Sequence, residues 1–382
     1  MTGSLKRRCD SRWQPFAERK RLEKRIGFTL VELLVGVALT FMIVIGLHRL
    51  FSSATDITTR ADTRTILQQN ARHVLEYVEH QVAGAYVDVR ESKKNYMWAL
   101  NDYGDDYATG ESATLGVTKD GMYGTLIEEG RPPAIYWTAD ELVGMFVSIG
   151  DEETRWIRRN TENGIVVDQP WEGSASSFSV RRNMDSLIFF TNSAQPWGID
   201  PDLAPLAECL VMLAVDDEHV SESGRRLPSR LVSVVAPRVP GSGDNGRFES
   251  DLEQAMEVGR YVTDFNVEYA ERIQVADDEY RLVYRQCNEE SEGKVLDPDD
   301  DDETIAWAET GKSMSPVNVS RDVKSLIGAY ASNAGGSVRF RRLPPALRVM
   351  IRVTNESGSV GRCFSQVMHL RQSSRLPVIA EE

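Results

Sequence analysis

Residues 21–51 read RLEKRIGFTLVELLVGVALTFMIVIGLHRLF, a basic segment that runs directly into a long apolar one. From Phe28 to Leu47 the only charged residue is Glu32. A helix of this length measures about 30 Å, which matches the hydrocarbon core of a bilayer. A carboxylate is costly in that environment, so Glu32 needs a partner or a role there. The stretch therefore predicts a membrane-spanning helix with a functional glutamate near its start.

The segment from Gly27 to Val35, GFTLVELLV, resembles the N-terminal motif of type IV pilins and type II secretion pseudopilins. The resemblance implies that a prepilin peptidase cuts between Gly27 and Phe28 and that the new N-terminus of Phe28 is methylated. It also assigns Thr29 and Glu32 to subunit assembly, in which the Glu32 carboxylate pairs with the N-terminal amine of a neighbouring subunit. This pairing is physically reasonable, because a carboxylate in lipid is tolerated when it meets a cation.

Two simpler interpretations compete with this one. A secretory signal peptide has an apolar region of only about 7–15 residues, followed by a cleavage site with small residues. A plain signal anchor fits the length and the charge, but it does not predict Gly27-Phe28 followed by a glutamate at position 32. The motif therefore favours the pilin-like interpretation.

Charge predicts the orientation of the chain in the membrane. Residues 1–27 hold nine Lys or Arg and three acids, a balance of +6, and the whole chain is at −14, so the remainder carries −20. Basic flanks stay in the cytoplasm. We therefore expect a single-pass protein of the bacterial inner membrane, with a cytoplasmic N-terminus and a periplasmic head. An acidic head also argues against a nucleic-acid partner.

The segment after Leu47 turns polar without a proline or glycine before Gly84. Its apolar residues recur at helical spacing and form one stripe: Leu67, Ala71, Val74, Leu75, Val78 and Val82. We expect one helix from about Phe28 to Ala83, and the alternative is a break at the serines and threonines of 52–59. The predicted organisation is a cleaved leader (1–27), a transmembrane and assembly helix (28–47), an amphipathic stalk helix (48–84) and a β-rich head (85–382).

The predicted fold class is α+β, a long helix packed on a large and mainly antiparallel head, as in pilins. Short β-branched and aromatic runs bounded by turn residues indicate strands. They are Ala134–Thr138, Leu142–Ile149, Ser177–Arg181, Ser186–Thr191, Cys209–Val215, Arg230–Pro237, Thr263–Tyr269, Tyr280–Gln286, Leu347–Thr354 and Phe364–Leu370. Helical patterns recur in the head mainly at Asp251–Val258 and Ser320–Tyr330.

Two acidic segments, Asn101–Gly110 and Asn288–Glu303, are typical of solvated loop insertions. In the second, Asp297, Asp299 and Asp301 match the opening of an EF-hand loop. The match fails further on, because Asp302 stands where the loop needs glycine and Ala308 where it needs glutamate. We therefore expect no cofactor, and an irregular Ca²⁺ site is the alternative for this segment.

A second resemblance lies nearer the C-terminus. The run Leu343–Val353, LPPALRVMIRV, looks like the proline turn and strand of J-type minor pseudopilins, and Val262–Tyr269 is similar to an earlier strand of that family. Pro344 and Pro345 block a helix, and an alternating strand follows them. Any strand after a proline turn would read the same way, so these matches are less specific than the first.

Catalysis finds no support in the sequence. Of the five histidines, His48, His73 and His80 lie on the predicted helix, His219 lies in an acidic turn and His369 lies in a strand. The spacing of Cys209, Cys287 and Cys363 fits no zinc motif, and either one pair forms a disulfide or all three are buried thiols.

The sequence thus predicts a protein without enzymatic activity, a J-like minor pseudopilin of a type II secretion system. Its expected partners are prepilin peptidase, the other pseudopilins and an inner-membrane assembly platform. A minor pilin or adhesin of a type IV pilus is the alternative, and a membrane-anchored hydrolase is a third.

Overall fold

The computed structural model describes part of the chain. The described residues are 29–88, 95–118, 121–128, 137, 141–149, 155–161, 164–167, 173–175, 177–191, 208–217, 228–239, 247–248, 255–276, 279–287, 289–297, 300–311, 325, 334–356 and 361–370. The chain divides into two compact units, Met1–Ala61 and Asp62–Glu382. The fold is α+β: one long N-terminal helix and a large antiparallel β-rich domain.

The helix α1 runs from Leu30 to Ala83 without a break, so the prediction of a single helix is confirmed. The serines and threonines of 52–59 do not interrupt it. The hydroxyls of Thr55 and Thr58 donate to the carbonyl oxygens of Phe51 and Ala54, both at 2.9 Å. Their polar groups are thereby satisfied inside the helix, which removes the reason for a break.

Strands follow the helix throughout the described part of the chain. The first ten are β1 Ala85–Tyr86, β2 Met97–Thr118, β3 Gly121–Glu128, β4 Phe146–Ile149, β5 Arg155–Asn160, β6 Gly164–Val167, β7 Gly173–Ala175, β8 Phe178–Asn183, β9 Ser186–Thr191 and β10 Cys209–Asp216. The next eleven are β11 Arg230–Val239, β12 Arg247–Phe248, β13 Met256–Arg260, β14 Val262–Ala276, β15 Glu279–Gln286, β16 Lys294–Asp297, β17 Asp300–Ala306, β18 Ala308–Thr310, β19 Ala334–Phe340, β20 Ala346–Thr354 and β21 Gly361–His369.

Two sheets and the second half of α1 share one hydrophobic core. The main sheet contains β11, β10, β9, the start of β2, β19 and β18 in that order, and a four-stranded sheet has the order β15-β14-β20-β21. Both contribute one apolar face to the core, and α1 contributes the stripe predicted from the sequence, all of whose members are buried. The chain crosses from β13 in the main sheet to β14 in the smaller one at Tyr261, which has a left-handed φ of 62°.

A closed β-barrel is inserted between β2 and β9. The second part of β2 pairs with β3, and the pairing continues through β6, β5, β4 and β8 back to β2. Closure removes the exposed sheet edges that an open sheet of these strands would have. The barrel has its own core of nine buried apolar side chains, which includes Trp137, Met145 and Phe178.

Both acidic segments predicted as loops contain strands, so those two predictions are wrong. Residues 101–110 belong to β2, whose pairing with β8 shifts register between Tyr103 and Asp106 and between Asp106 and Ala108. These bulges let a polar stretch stay within a ladder. Strands β16 and β17 overlap the second segment and pair antiparallel, with Asp297 opposite Asp300. The side chains of Asp297 and Asp301 and the whole of Asp299 lie outside the described residues.

The helix predicted at Asp251–Val258 is also wrong where it is described. Residues 256–260 form β13, which pairs with β11 at the rim of the main sheet, and this pairing outweighs the local helical pattern. The other predicted helix, Ser320–Tyr330, lies outside the described residues apart from Ser325. The predicted strand Leu142–Ile149 begins later, at Phe146, because a turn around Gly144 (φ 87°) precedes it.

Of the remaining predicted strands, Thr263–Tyr269 is the first half of β14, which continues to Ala276, and only Trp137 of Ala134–Thr138 is described; the ends of the others agree within three residues. The strand after Pro344-Pro345 begins at Ala346, one residue before the predicted start at Leu347. Strands β1, β3, β5, β6, β7, β12, β18 and β19 have no counterpart in the sequence prediction. The three cysteines are free thiols, so the alternative of a disulfide is wrong; Cys209 and Cys287 are buried and Cys363 is half-buried.

Candidate functional site

The start of α1 is a capping box formed by Thr29 and Glu32. The Thr29 hydroxyl accepts from the Glu32 amide at 3.2 Å, and the Glu32 carboxylate accepts from the Thr29 amide at 3.0 Å. The Thr29 hydroxyl also lies 3.0 Å from the same carboxylate oxygen. This arrangement satisfies two of the amides that a helix N-terminus leaves without partners. The structure thus brings together two of the residues that the sequence assigned to assembly.

The capping box gives Glu32 a local structural role, and the sequence interpretation missed this role. Thr-x-x-Glu before an apolar run is its ordinary sequence signal, and it was present at residues 29–32. Glu32 therefore has hydrogen-bond donors within its own chain before any neighbour is considered. Gly27 and Phe28, the predicted cleavage pair, lie outside the described residues, so the processing prediction stays a prediction.

The first half of α1 is apolar and has no partner in the part of the chain that the structure describes. Its most apolar window has a mean hydropathy of 2.6, and none of that window is buried. Leu30, Met42 and Ile43 are all more than 60% exposed. Leaving such a surface in water costs roughly 25 cal/mol per Å² of apolar area. The helix is long and apolar enough to cross a membrane, and it needs lipid or other protein around it.

The second half of α1 packs on the head at close range. Gly259 of β13 lies beside Val74, so close that a Cβ at residue 259 would be 2.3 Å from Val74 Cγ2. On another side of the helix the Gln366 amide donates to the Glu79 carboxylate at 2.6 Å. This half of the helix is therefore held by both apolar packing and polar contacts within the unit Asp62–Glu382.

The buried charges of the head serve to join its parts. Asp264 is almost fully buried, and its carboxylate accepts from the Asn183 amide at 3.0 Å and from the Thr263 hydroxyl at 2.8 Å. Burial raises the pKa of Asp264, although the nearby Arg352 guanidinium opposes the shift. Asn183 is the last residue of β8, the strand by which the chain leaves the barrel. Its hydrogen bond to Asp264 therefore joins β8 to β14.

The thiols are poor candidates for nucleophiles. Burial raises the pKa of Cys209 to about 11 and that of Cys363 to about 12, and it raises the pKa of Cys287 well above the ordinary value. A thiol must lose its proton to act as a nucleophile or a metal ligand. At neutral pH the three cysteines are therefore small apolar side chains.

Among the described residues, no group of three or more histidines, cysteines or carboxylates could hold a metal ion. His48, His73 and His80 lie along α1, and His369 is exposed on β21. His219, with its acidic neighbours, lies outside the described residues. The candidate functional site in the described chain is accordingly the capped, apolar first half of α1.

Comparisons with models of known protein families, with curated proteins and with solved structures returned no match at a significant level.

Proposed function

We propose that this chain is a J-like minor pseudopilin of a type II secretion system, which assembles through α1 into the tip of a periplasmic pseudopilus. In this proposal prepilin peptidase removes the leader and methylates Phe28. The mature subunit then waits in the inner membrane, with its head in the periplasm, for the assembly platform and the other pseudopilins. The protein has no catalytic role and no nucleic-acid partner.

One observation carries the proposal: an unburied apolar helix segment that begins with a capped glutamate. A plain anchor needs no carboxylate in lipid. The capping box lowers the cost of keeping Glu32 there in the free subunit, because the charge has two donors. During assembly a neighbouring N-terminal amine would offer it a full positive charge. This combination suits a helix that is both anchor and assembly element.

The head supports the J-type assignment in a more limited way. The two segments that resemble this family form the neighbouring strands β14 and β20, paired antiparallel from Val262 opposite Val353 to Tyr269 opposite Leu347. They lie at the centre of the four-stranded sheet, so the resemblance falls on one structural unit and not on two unrelated places.

The processing step is tested by mass spectrometry of the protein purified from cells with active prepilin peptidase. We expect a mature N-terminus at Phe28 that carries one methyl group. An intact leader in such cells would contradict the proposal.

The assembly step is tested with Glu32→Leu. We expect normal membrane insertion but reduced co-purification with partner pseudopilins, because the replaced carboxylate no longer offers an anchor for the neighbour's amine. Glu76→Leu is the matched control, since Glu76 is an exposed glutamate of the same helix. Equal co-purification of Glu32→Leu and the wild type would count against the pairing. Genes for a retraction ATPase beside this one would favour the surface-pilus alternative.

A further inference from the structure

A row of regularly spaced residues runs along the first half of α1. Its members follow each other at alternating intervals of three and four residues, and we call them the seam: Leu33, Gly36, Thr40, Ile43, Leu47, Leu50, Ala54, Ile57 and Ala61. All of them are helical and belong to the unit Met1–Ala61. Alternating steps of three and four residues are the spacing of the two core positions of a coiled coil. The pattern lasts for four heptads from Leu33 to Ala61, and a run of about three to four heptads is typical of coiled coils.

The seam is uncovered in the described part of the chain. Every member of it is exposed, and Leu50 and Ile57 are 64% and 66% exposed. Lipid surrounds an apolar helix on all sides and is as apolar as leucine, so an anchor in lipid needs no single row at this spacing. The regular spacing therefore indicates a partner that contacts one side of α1.

The seam also continues past the end of the apolar run. That run ends at Leu47 and is followed by His48 and Arg49, yet the seam goes on through Leu50 and Ile57. Apolar surface left in water costs about 25 cal/mol per Å². Beyond Arg49 the hydrocarbon of a membrane no longer covers these side chains, so this part of the seam needs protein against it.

The spacing identifies the partner as another α-helix. In a coiled coil each core side chain inserts between four residues of the facing helix, which requires the same periodicity on both sides. Small residues of the seam allow the two backbones to approach, as they do between helices in membranes. Gly36 and Thr40 are four residues apart, Ala54 and Ala61 follow further along, and a Cβ at Gly36 would meet nothing within 4 Å.

A second copy of this chain offers a matching helix. Two copies of a single-pass chain insert in the same direction, so their helices lie parallel and each seam residue meets its own counterpart. In a parallel pair the positions that flank the core also face each other, and like charges there would repel. No such pair along the seam joins two like charges. The facing pairs are Glu32 with Val37, Leu39 with Val44, Gly46 with Phe51, and Ser53 with Thr58.

We propose that the seam is the contact surface for α1 of a second copy of this chain, in a parallel coiled coil that begins in the membrane and continues beyond it to Ala61. This contact stands apart from assembly into a pseudopilus, because it joins copies of one chain and needs none of the other pseudopilins.

The first test is disulfide crosslinking of the full chain in membranes of a host that has no secretion or pilus genes. Cys9→Ser provides the background, because a thiol at residue 9 could crosslink outside the seam. In this background we expect Ile57→Cys to give a crosslinked dimer on oxidation with copper phenanthroline, since the two copies of residue 57 face each other. Ser52→Cys is the matched control. Ser52 lies in the same stretch of α1 on the side opposite to the seam, and its variant should give no more dimer than the background.

The second test is sedimentation equilibrium of the purified full chain in detergent. We expect the wild type to associate reversibly and Ile57→Lys to weaken this association about tenfold or more, because each helix loses a buried isoleucine and gains a charge in the contact. Ile66→Lys is the control, since Ile66 is 56% exposed on the same helix but lies outside the seam. It should leave the affinity unchanged, and the head of both variants should unfold at the wild-type temperature.

The proposal is overturned if the wild-type chain sediments as a monomer, if Ser52→Cys crosslinks as well as Ile57→Cys, or if Ile57→Lys associates as tightly as Ile66→Lys. Crosslinking that appears only when other pilin-like subunits are produced in the same cells would also overturn it, because the seam would then fit a different helix. None of these outcomes bears on the processing of Phe28 or on co-purification of Glu32→Leu, which test the pseudopilus proposal separately.

Discussion

The two halves of α1 differ in what surrounds them. In the first half no residue of the most apolar window is buried, and side chains such as Met42 are largely exposed. In the second half Val74, Val78 and Val82 are buried in the core of the head, at 1% exposure or less. A continuous helix thus has one segment that the described part of the chain leaves uncovered and one that packs in the core of the head.

The difference shows that one helix can draw its stability from two sources. The second half gains from tertiary packing, as most helices in folded proteins do. The first half has its backbone hydrogen bonds and its cap. Its apolar surface suits a membrane, because a helix satisfies its own backbone polar groups in lipid. Substitutions should therefore destabilise the head only in the second half.

The largest effect is expected from Val78→Asp. A carboxylate without a partner in the core should destabilise the head by about 3 kcal/mol or more, or leave it unfolded. Ile66→Asp is the control, because Ile66 is 56% exposed on the same helix, and it should change stability by less than about 0.5 kcal/mol. Thermal unfolding in detergent measures both. Similar losses for the two variants would show that the buried stripe does not hold the head together.

An intermediate effect is expected from Gly259→Ala. The added methyl group meets Val74 Cγ2 and should cost about 1–3 kcal/mol through overpacking. The double variant with Val74→Ala should recover part of that loss, because the smaller helix residue makes room. Gly46→Ala, in the first half, meets nothing within 4 Å and serves as the control. The close approach would be disproved if the double variant were less stable than the sum of the two single changes predicts.

The smallest effect is expected from Thr29→Val, which removes the hydroxyl of the capping box. Loss of an N-cap costs about 1 kcal/mol, so amides of the first turn of α1 should exchange hydrogen about fivefold faster. The head should unfold at the wild-type temperature. Thr40→Val is the control, since the Thr40 hydroxyl donates to the Gly36 carbonyl inside the helix at 2.8 Å. Unchanged exchange at Glu32 and Leu33, whose amides donate to the hydroxyl and the carbonyl oxygen of Thr29, would mean that the cap contributes nothing.

The helix could be predicted from the sequence because its signals are local. The apolar run and the spacing from Leu67 to Val82 are properties of neighbouring turns, and every member of that stripe is buried. The capping box was equally local, but the pilin-like motif had already offered a role for Glu32. One residue can satisfy both patterns, so a role in assembly does not exclude a role in the cap.

The head could be predicted only as a set of strands. Closure of the barrel depends on β2 pairing with β8 across a long stretch of chain, and no local pattern encodes this pairing. The acidic residues 101–110 looked like a loop because bulges allow polar stretches in strands. β13 looked helical because its pairing with β11 is a contact between distant parts of the chain, which no local pattern encodes.

The inserted barrel has a consequence for how the head could vary in length. β2 carries the chain into the barrel and β8 carries it out, and Tyr103 of the first strand lies directly opposite Asn183 of the second. The chain therefore enters and leaves the barrel at neighbouring positions, beside the paired strands β2 and β9 of the main sheet. An insertion with its two ends so close together can be enlarged, shortened or replaced by a tight turn without changing the strand order of the main sheet.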